Sequence, residues 1–212
     1  GSSLELIHYA LLSLLCAVVA FLLIKGLRLL KRYVFGLLPV PTPLKSLTGG
    51  LTLGVLAAVL CVTLQVEPGY VMGDGKEYLQ QVIGNVLEPS SASVSNITFS
   101  LRMLMLMILF KIVATGLTVG SGASGGLLFP TLFIGAMTGA FYASLWLHAP
   151  AWLEPSAGAR AGMIVVAMGG VFAGCTKTPI ASLVLVSEMT GSYALAVPLM
   201  LYGCYMLIQK WI

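Results

Sequence analysis

The stretch Gly120-Ser121-Gly122-Ala123-Ser124-Gly125-Gly126-Leu127-Leu128-Phe129-Pro130 decides how the rest of the chain is read. It carries no charge and opens into an apolar run that continues to Leu147. Its glycines let the main chain bend and expose its amides. Pro130 suits the first turn of a helix, where no intrahelical donor is lost. The stretch therefore reads as a backbone-rich loop followed by a helix. A helix start in apolar surroundings leaves several N–H groups unsatisfied, and the dipole adds roughly half a positive charge. An anion is the natural partner of that arrangement. No Lys or Arg occurs between Ile112 and His148, so an anion here is expected to be held mainly by backbone. The plainer alternative is that the glycines only let helices pack closely.

The composition says where such a helix start must sit. Of 212 residues, 58% are hydrophobic and 8% charged, with a mean hydropathy of +1.01. Water-soluble proteins carry roughly 25% charged residues and about 45–50% apolar ones. A chain this short cannot bury so much apolar surface within itself. A soluble enzyme, a nucleic-acid-binding module and a disordered segment are excluded on that ground, and the lipid bilayer is the expected surrounding. The expected class is an all-α, multi-pass integral membrane protein. Its 24 Gly and 10 Pro predict helices that are closely packed, broken or both. The four cysteines, Cys16, Cys61, Cys175 and Cys204, show no metal-ligand spacing and read as small buried hydrophobes. No metal site, no cofactor and no catalytic Ser/His/Asp set is expected.

Outward from the loop, the chain divides into apolar segments. The first, Leu4 to Leu30, is long enough to cross a core roughly 30 Å thick. Lys25, Arg28, Lys31 and Arg32 cluster at its far end, which the positive-inside rule places in the cytoplasm. Pro39, Pro41 and Pro43 mark a turn, and a second span runs from Leu44 to Val66. Its Gly50 and Gly54 have the small-xxx-small spacing of a close helix contact. Glu67, Asp74, Glu77 and Glu88 make the next stretch acidic, with a short surface or re-entrant helix expected over Tyr78–Leu87. Asn96-Ile97-Thr98 fits a glycosylation triplet, a pattern common by chance.

The third segment, Ile97 to Val119, spreads Met103, Met105 and Met107 around a helix, as packing or lipid-facing residues. It also carries Lys111, which is costly inside a membrane unless it faces protein or water. Past the loop, Ala161–Ala173 and Pro179–Val186 read as apolar runs too short to cross alone, and Ala194–Ile208 as marginal. Such segments imply broken or tilted helices whose ends lie in protein or along a cavity. Lys177, between two of them, reads as a cytoplasmic anchor, and Glu188 as a structural hydrogen-bonding acid beside Thr190 and Ser192.

Two ordered stretches resemble one family. Lys111, Thr115 and Thr118 lead into Gly120-Ser121-Gly122 and then Ser124-Gly125-Gly126-Leu127-Leu128-Phe129-Pro130, with Gly135 and Gly139 behind. This is similar to the later anion-binding signature of the CLC chloride channels and chloride/proton antiporters, whose core pattern is Gly-x-Phe-x-Pro. Gly126 and Pro130 match it, and Leu128 stands where the Phe usually is. Gly169-Gly170-Val171-Phe172-Ala173-Gly174, Thr176-Lys177-Thr178-Pro179 and Leu185 to Tyr193, then Pro198, resemble the family's late helices.

The resemblance covers nearly the whole chain but only the second half of the family's transport domain. It implies a CLC-type bundle of tilted and broken helices over residues 1–212, the second inverted repeat only, with no separate soluble domain. It implies that the amides of Leu127 and Leu128 help hold chloride, supported by Gly125, Gly126, Phe129 and Pro130. The Leu128 departure removes an aromatic from the pore. The family's Gly-Ser-Gly-x-Pro loop, its Gly-Lys/Arg-Glu-Gly-Pro loop with the gating Glu, and its coordinating Tyr lie outside these residues; Tyr202 and Tyr205 are not substitutes for that Tyr. A piece of a transporter is therefore expected, arising by truncation, proteolysis or a natural split and needing its N-terminal half. The resemblance further implies a homodimer, each subunit with its own pore, joined through the first helix, Ile180–Met189 and Ala194–Ile208. The rival readings are another broken-helix anion transporter and a non-transporting membrane fragment acting in assembly.

Overall fold

A computed structural model of the chain describes residues 3–36, 42–64, 101–123, 125–146 and 157–190. The regular structure among them is helical throughout: α1 (Ser3–Leu29), continued by a π-helical stretch (Leu30–Phe35), α2 (Thr42–Leu64), α3 (Leu101–Gly120), α4 (Leu128–Trp146), α5 (Ala157–Thr176) and α6 (Pro179–Thr190). Five of these are long and apolar enough to cross a membrane, and the protein is a multi-pass integral membrane protein. Tyr78–Leu87, Asn96, His148, Ala194–Ile208, Tyr202 and Tyr205 lie outside the described residues.

The directions of the helices follow from which ends meet. His8, near the start of α1, accepts or donates a hydrogen bond at 3.1 Å to the Tyr142 hydroxyl near the end of α4, so those two helices run antiparallel. Gly120, at the end of α3, lies against Phe35 and Lys31 at the end of α1, so these run parallel. Along α4 and α5, Gly135 faces Ala167 and Met168 while Gly139 faces Ile164, which makes the pair antiparallel. The ends of α1, α3 and α5 therefore share one side, together with Lys31, Arg32 and Lys177. Lys177 thus lies on the same side as the basic cluster that the positive-inside rule was expected to place in the cytoplasm. The glycine loop opens on the same side.

The centre is α4, buried from Thr131 to Ala140 without a break and packed between α3 and α5, with α1 closing the outer end. Glycine does specific work in its contact with α5. A Cβ at Gly139 would fall 2.6 Å from the Ile164 Cα, and one at Gly135 would fall 2.6 Å from the Ala167 carbonyl oxygen. Backbone therefore meets backbone, the small-residue packing of membrane helices. Ile134, Ala136, Met137, Met163, Ala167 and Val171 fill the space around it with almost no exposure.

Three expectations change. The run Ala161–Ala173 does not mark a short helix: α5 spans 20 residues and reaches across. Its glycines dilute the hydropathy, and Arg160 at its outer end is buried. The second correction concerns Gly50 and Gly54, where an added Cβ would meet nothing within 4 Å. Among the described residues they make no close contact; Gly49, one residue earlier, packs on Ser121 and the Leu117 carbonyl. Finally, α1 does not stop at Leu30. Its π-helical continuation lets Leu30 seat over Gly116 and Phe35 over Gly120, a Gly-xxx-Gly pair on α3. The methionines of α3 do spread as expected, Met107 buried and Met105 outward.

Candidate functional site

The end of α3 and the start of α4 are built to turn the chain and leave amides over. Past Gly120, the Ser121 amide donates to the Leu117 carbonyl at 3.1 Å and the Gly122 amide to that of Val119 at 3.2 Å. The Ser121 hydroxyl donates to the Thr118 carbonyl at 2.8 Å. Gly122 then turns with φ 84°, in the left-handed region that glycine enters at no steric cost.

At the other end of the loop, α4 begins at Leu128. The Thr131 amide is the first to find a helical acceptor, the Leu127 carbonyl at 3.1 Å. The Thr131 hydroxyl is shared between the carbonyls of Leu127 and Leu128, both at 2.8 Å. Pro130 falls inside the first turn, as its fixed φ suits, and brings no amide of its own. Among the described residues, the amides of Leu127 and Leu128 have no acceptor. A helix start with open donors and a favourable dipole is what anion binding by backbone requires.

The neighbourhood of these donors is a cavity of about 400 Å³ between α2, α3, the loop and α4. Gly125, Gly126, Phe129 and Pro130 line it, so four of the expected site residues come together there. Leu127 and Leu128, the residues expected to offer their amides, are not among those that line it; each stays more than a third exposed, at 36% and 37%. Gly50 and Gly54 of α2 form the facing wall, which is why they touch no other helix.

Lys111 also lines the cavity. It is buried, with 7% exposure, and its ammonium lies 4.9 Å from the centre of the Phe133 ring. Its burial between α3 and α4 answers the requirement that a membrane cation face protein or a cavity. The sequence reading, which expected an anion to be held mainly by backbone, did not place this cation at the cavity. The signal was present: Lys111, Thr115 and Thr118 recur at helical spacing and share one face, and all three border the cavity. The two threonines cannot stand in as donors, because their hydroxyl protons go to the carbonyls of Lys111 and Ala114 at 2.7 and 2.9 Å.

Elsewhere the polar groups have structural work. His8 sits edge-on to Trp146 at 4.8 Å as well as bonding Tyr142, and this cluster ties the outer ends of α1 and α4. Glu188 is exposed, and Ser192, one of its expected partners, lies outside the described residues. No three His, Cys, Asp or Glu side chains come together among the described residues.

Comparison with known proteins identifies the family of the chain. The family model described as voltage gated chloride channel matches residues 2–206. An H(+)/Cl(-) exchange transporter ClcA of Yersinia pestis is 35% identical over 102 residues, 48% of this chain and 20% of that protein. The H(+)/Cl(-) exchange transporter ClcA of Vibrio campbellii is 36% identical over 110 residues, 51% of this chain and 22% of that protein. A ClcB-like protein of Ralstonia nicotianae is 41% identical over 96 residues, 45% of this chain and 22% of its own length. The chain therefore aligns with only about a fifth of the length of each of these relatives.

Proposed function

The chain belongs to the voltage gated chloride channel family, and we propose that it is the second half of that family's transport domain, moving chloride across a bilayer once the first half completes it. The observation that carries this reading is that the Leu127 and Leu128 amides at the start of α4 have no acceptor among the described residues, next to Gly125, Gly126 and Phe129 of a cavity wall. Chloride held there is stripped of part of its water and compensated by N–H dipoles and the helix end, not by a contacting side-chain charge. Gly125 and Gly126 keep side chains out of its approach, and Phe129 and Pro130 form the apolar wall beside it. No cofactor enters this scheme.

Two exposed surfaces support the completed assembly. The loop from Gly125 to Phe129 is open, and α2 presents most of its length outward, only 11% of its spanning window being buried. The missing half of the domain is the partner proposed for this side. On the opposite flank, Ile180 and Val184 of α6 are 80% and 52% exposed, which supports α6 as part of a homodimer contact.

The test is chloride flux from liposomes carrying the completed domain. Leu127→Pro removes one of the two open amides and is expected to lower flux at least tenfold while the protein stays folded. Unchanged flux in that variant would discard amide coordination. Flux of other anions with none of chloride would favour a different broken-helix anion transporter. A completed domain that moves no anion would favour a role in assembly.

A further inference from the structure

Lys25, Arg28, Lys31 and Arg32 form an exposed surface at the end of α1 and its π-helical continuation. Topology explains why they lie on one side of the membrane, but not why they stand together on one helix. We propose that this surface binds anionic phospholipid, the four cations taking the phosphodiester groups and their apolar neighbours the upper acyl chains. The site is independent of the chloride reading. Three observations support it.

The first is charge. No acid occurs in the chain between Glu5 and Glu67, and none of the four has an ion pair among the described residues. Lys25 and Arg32 instead lie over the rings of Phe21 and Tyr33, 5.6 and 5.8 Å from their centres, contacts that do not neutralise them. The second is the company these cations keep. Val18, Phe21 and Leu22 are exposed on the turns before them, and Leu29, Tyr33 and Val34 are exposed between and beyond them. Exposed apolar side chains of a membrane helix face lipid tails, and tyrosine is favoured where tails give way to headgroups. Lysine and arginine stems lie along such a surface with their charge at headgroup level. A soluble anion or an acidic protein would leave the apolar part of the surface in water. A second copy meeting it across a two-fold axis would bring like charges together, and the homodimer contact proposed above uses α6.

The third is rigidity. The other side of the same stretch is packed, with Leu30 over Gly116 and Phe35 over Gly120 of α3. Lys31 and Arg32 therefore project from a seated segment, and little ordering is needed when a headgroup arrives. The same seating sets the segment that meets lipid against the residue where the glycine loop starts.

Juxtamembrane basic residues each strengthen attraction to anionic lipid several-fold, so losing two lowers affinity about 30-fold at low salt. The experiment titrates the full chain, in neutral detergent micelles, with phosphatidylglycerol and reads bound lipid by native mass spectrometry. Phosphatidylglycerol is expected to bind at least about tenfold more tightly than phosphatidylcholine of the same chain length. Lys31→Gln combined with Arg32→Gln is expected to weaken it about 30-fold, and Lys31→Arg to leave it unchanged. Arg102→Gln, at an exposed cation on the other side of the membrane, should leave it unchanged as well. If the first double variant does not fold, Lys25→Gln combined with Arg28→Gln is read in its place with the same expectation. Phosphatidylglycerol held equally well by a folded double variant, or no more tightly than phosphatidylcholine by the unaltered chain, overturns the inference. So does free glycerol phosphate that binds as tightly as the lipid, which would make this a site for soluble anions. A two-chain species that takes up no lipid also overturns it, giving the surface to a second copy.

Discussion

Two parts of the molecule treat glycine in opposite ways. Along α4 and α5, Gly135 and Gly139 are in contact with the neighbouring backbone, and 67% of each helix's spanning window is buried. Along α2, Gly50 and Gly54 touch nothing among the described residues, and 11% of the window is buried. The same residue at the same four-residue spacing closes one interface and leaves the other open. The spacing therefore reports that a helix can be approached closely, and the partner decides whether it is. In α4–α5 the partner is within the chain. On α2 the glycines face a cavity that the chain leaves partly uncovered.

Substitution at the closed contact should have the largest effect. Gly139→Leu forces a side chain into the Ile164 backbone 2.6 Å away, with a cost of about 3 kcal/mol by overpacking. Unfolding in mixed micelles should show it, and the matching Gly54→Leu change on α2 should cost little in this chain. Equal losses at both sites would erase the distinction between the two regions. An intermediate effect is expected at the outer end of α4. Tyr142→Phe removes the 3.1 Å bond to His8 and is expected to cost about 1 kcal/mol in the same assay. A loss as large as that of Gly139→Leu would show that the closed region depends on this polar tie more than on close packing.

The smallest effect belongs to Gly50→Ala. With open space around it, alanine should be neutral or stabilise the helix by up to about 1 kcal/mol. In the completed transport domain the same change should instead destabilise, because a helix from the other half would now meet the new methyl. If thermal melting shows no difference between the chain alone and the completed domain, the proposed partner does not pack at Gly50.

Much of this was legible before any coordinates. The low charge and the apolar segments gave a helical membrane protein. The loop from Gly120 and the position of Pro130 gave the helix start at Leu128. These features are local, set by residues a few positions apart. What escaped the sequence depends on contacts between distant segments. The full length of α5 was hidden because Gly158, Gly162, Gly169 and Gly170 lower its hydropathy, whereas in the fold Gly169 and Gly170 are fully packed. The His8–Tyr142 bond joins residues 134 positions apart, and nothing in either neighbourhood announces it. Lys111 was visible as a buried charge, but its place in the cavity wall required α3 to be set against α4 and the loop.

One consequence of the Thr131 hydroxyl concerns time more than strength. It donates to the carbonyls of Leu127 and Leu128, and the first of these shares its peptide plane with the Leu128 amide, so the orientation of that amide is fixed by the fold. Under the proposed chloride reading, an arriving ion would then find that amide already oriented, which favours quick exchange. Breaking those bonds with Thr131→Val would trade that speed for a softer grip.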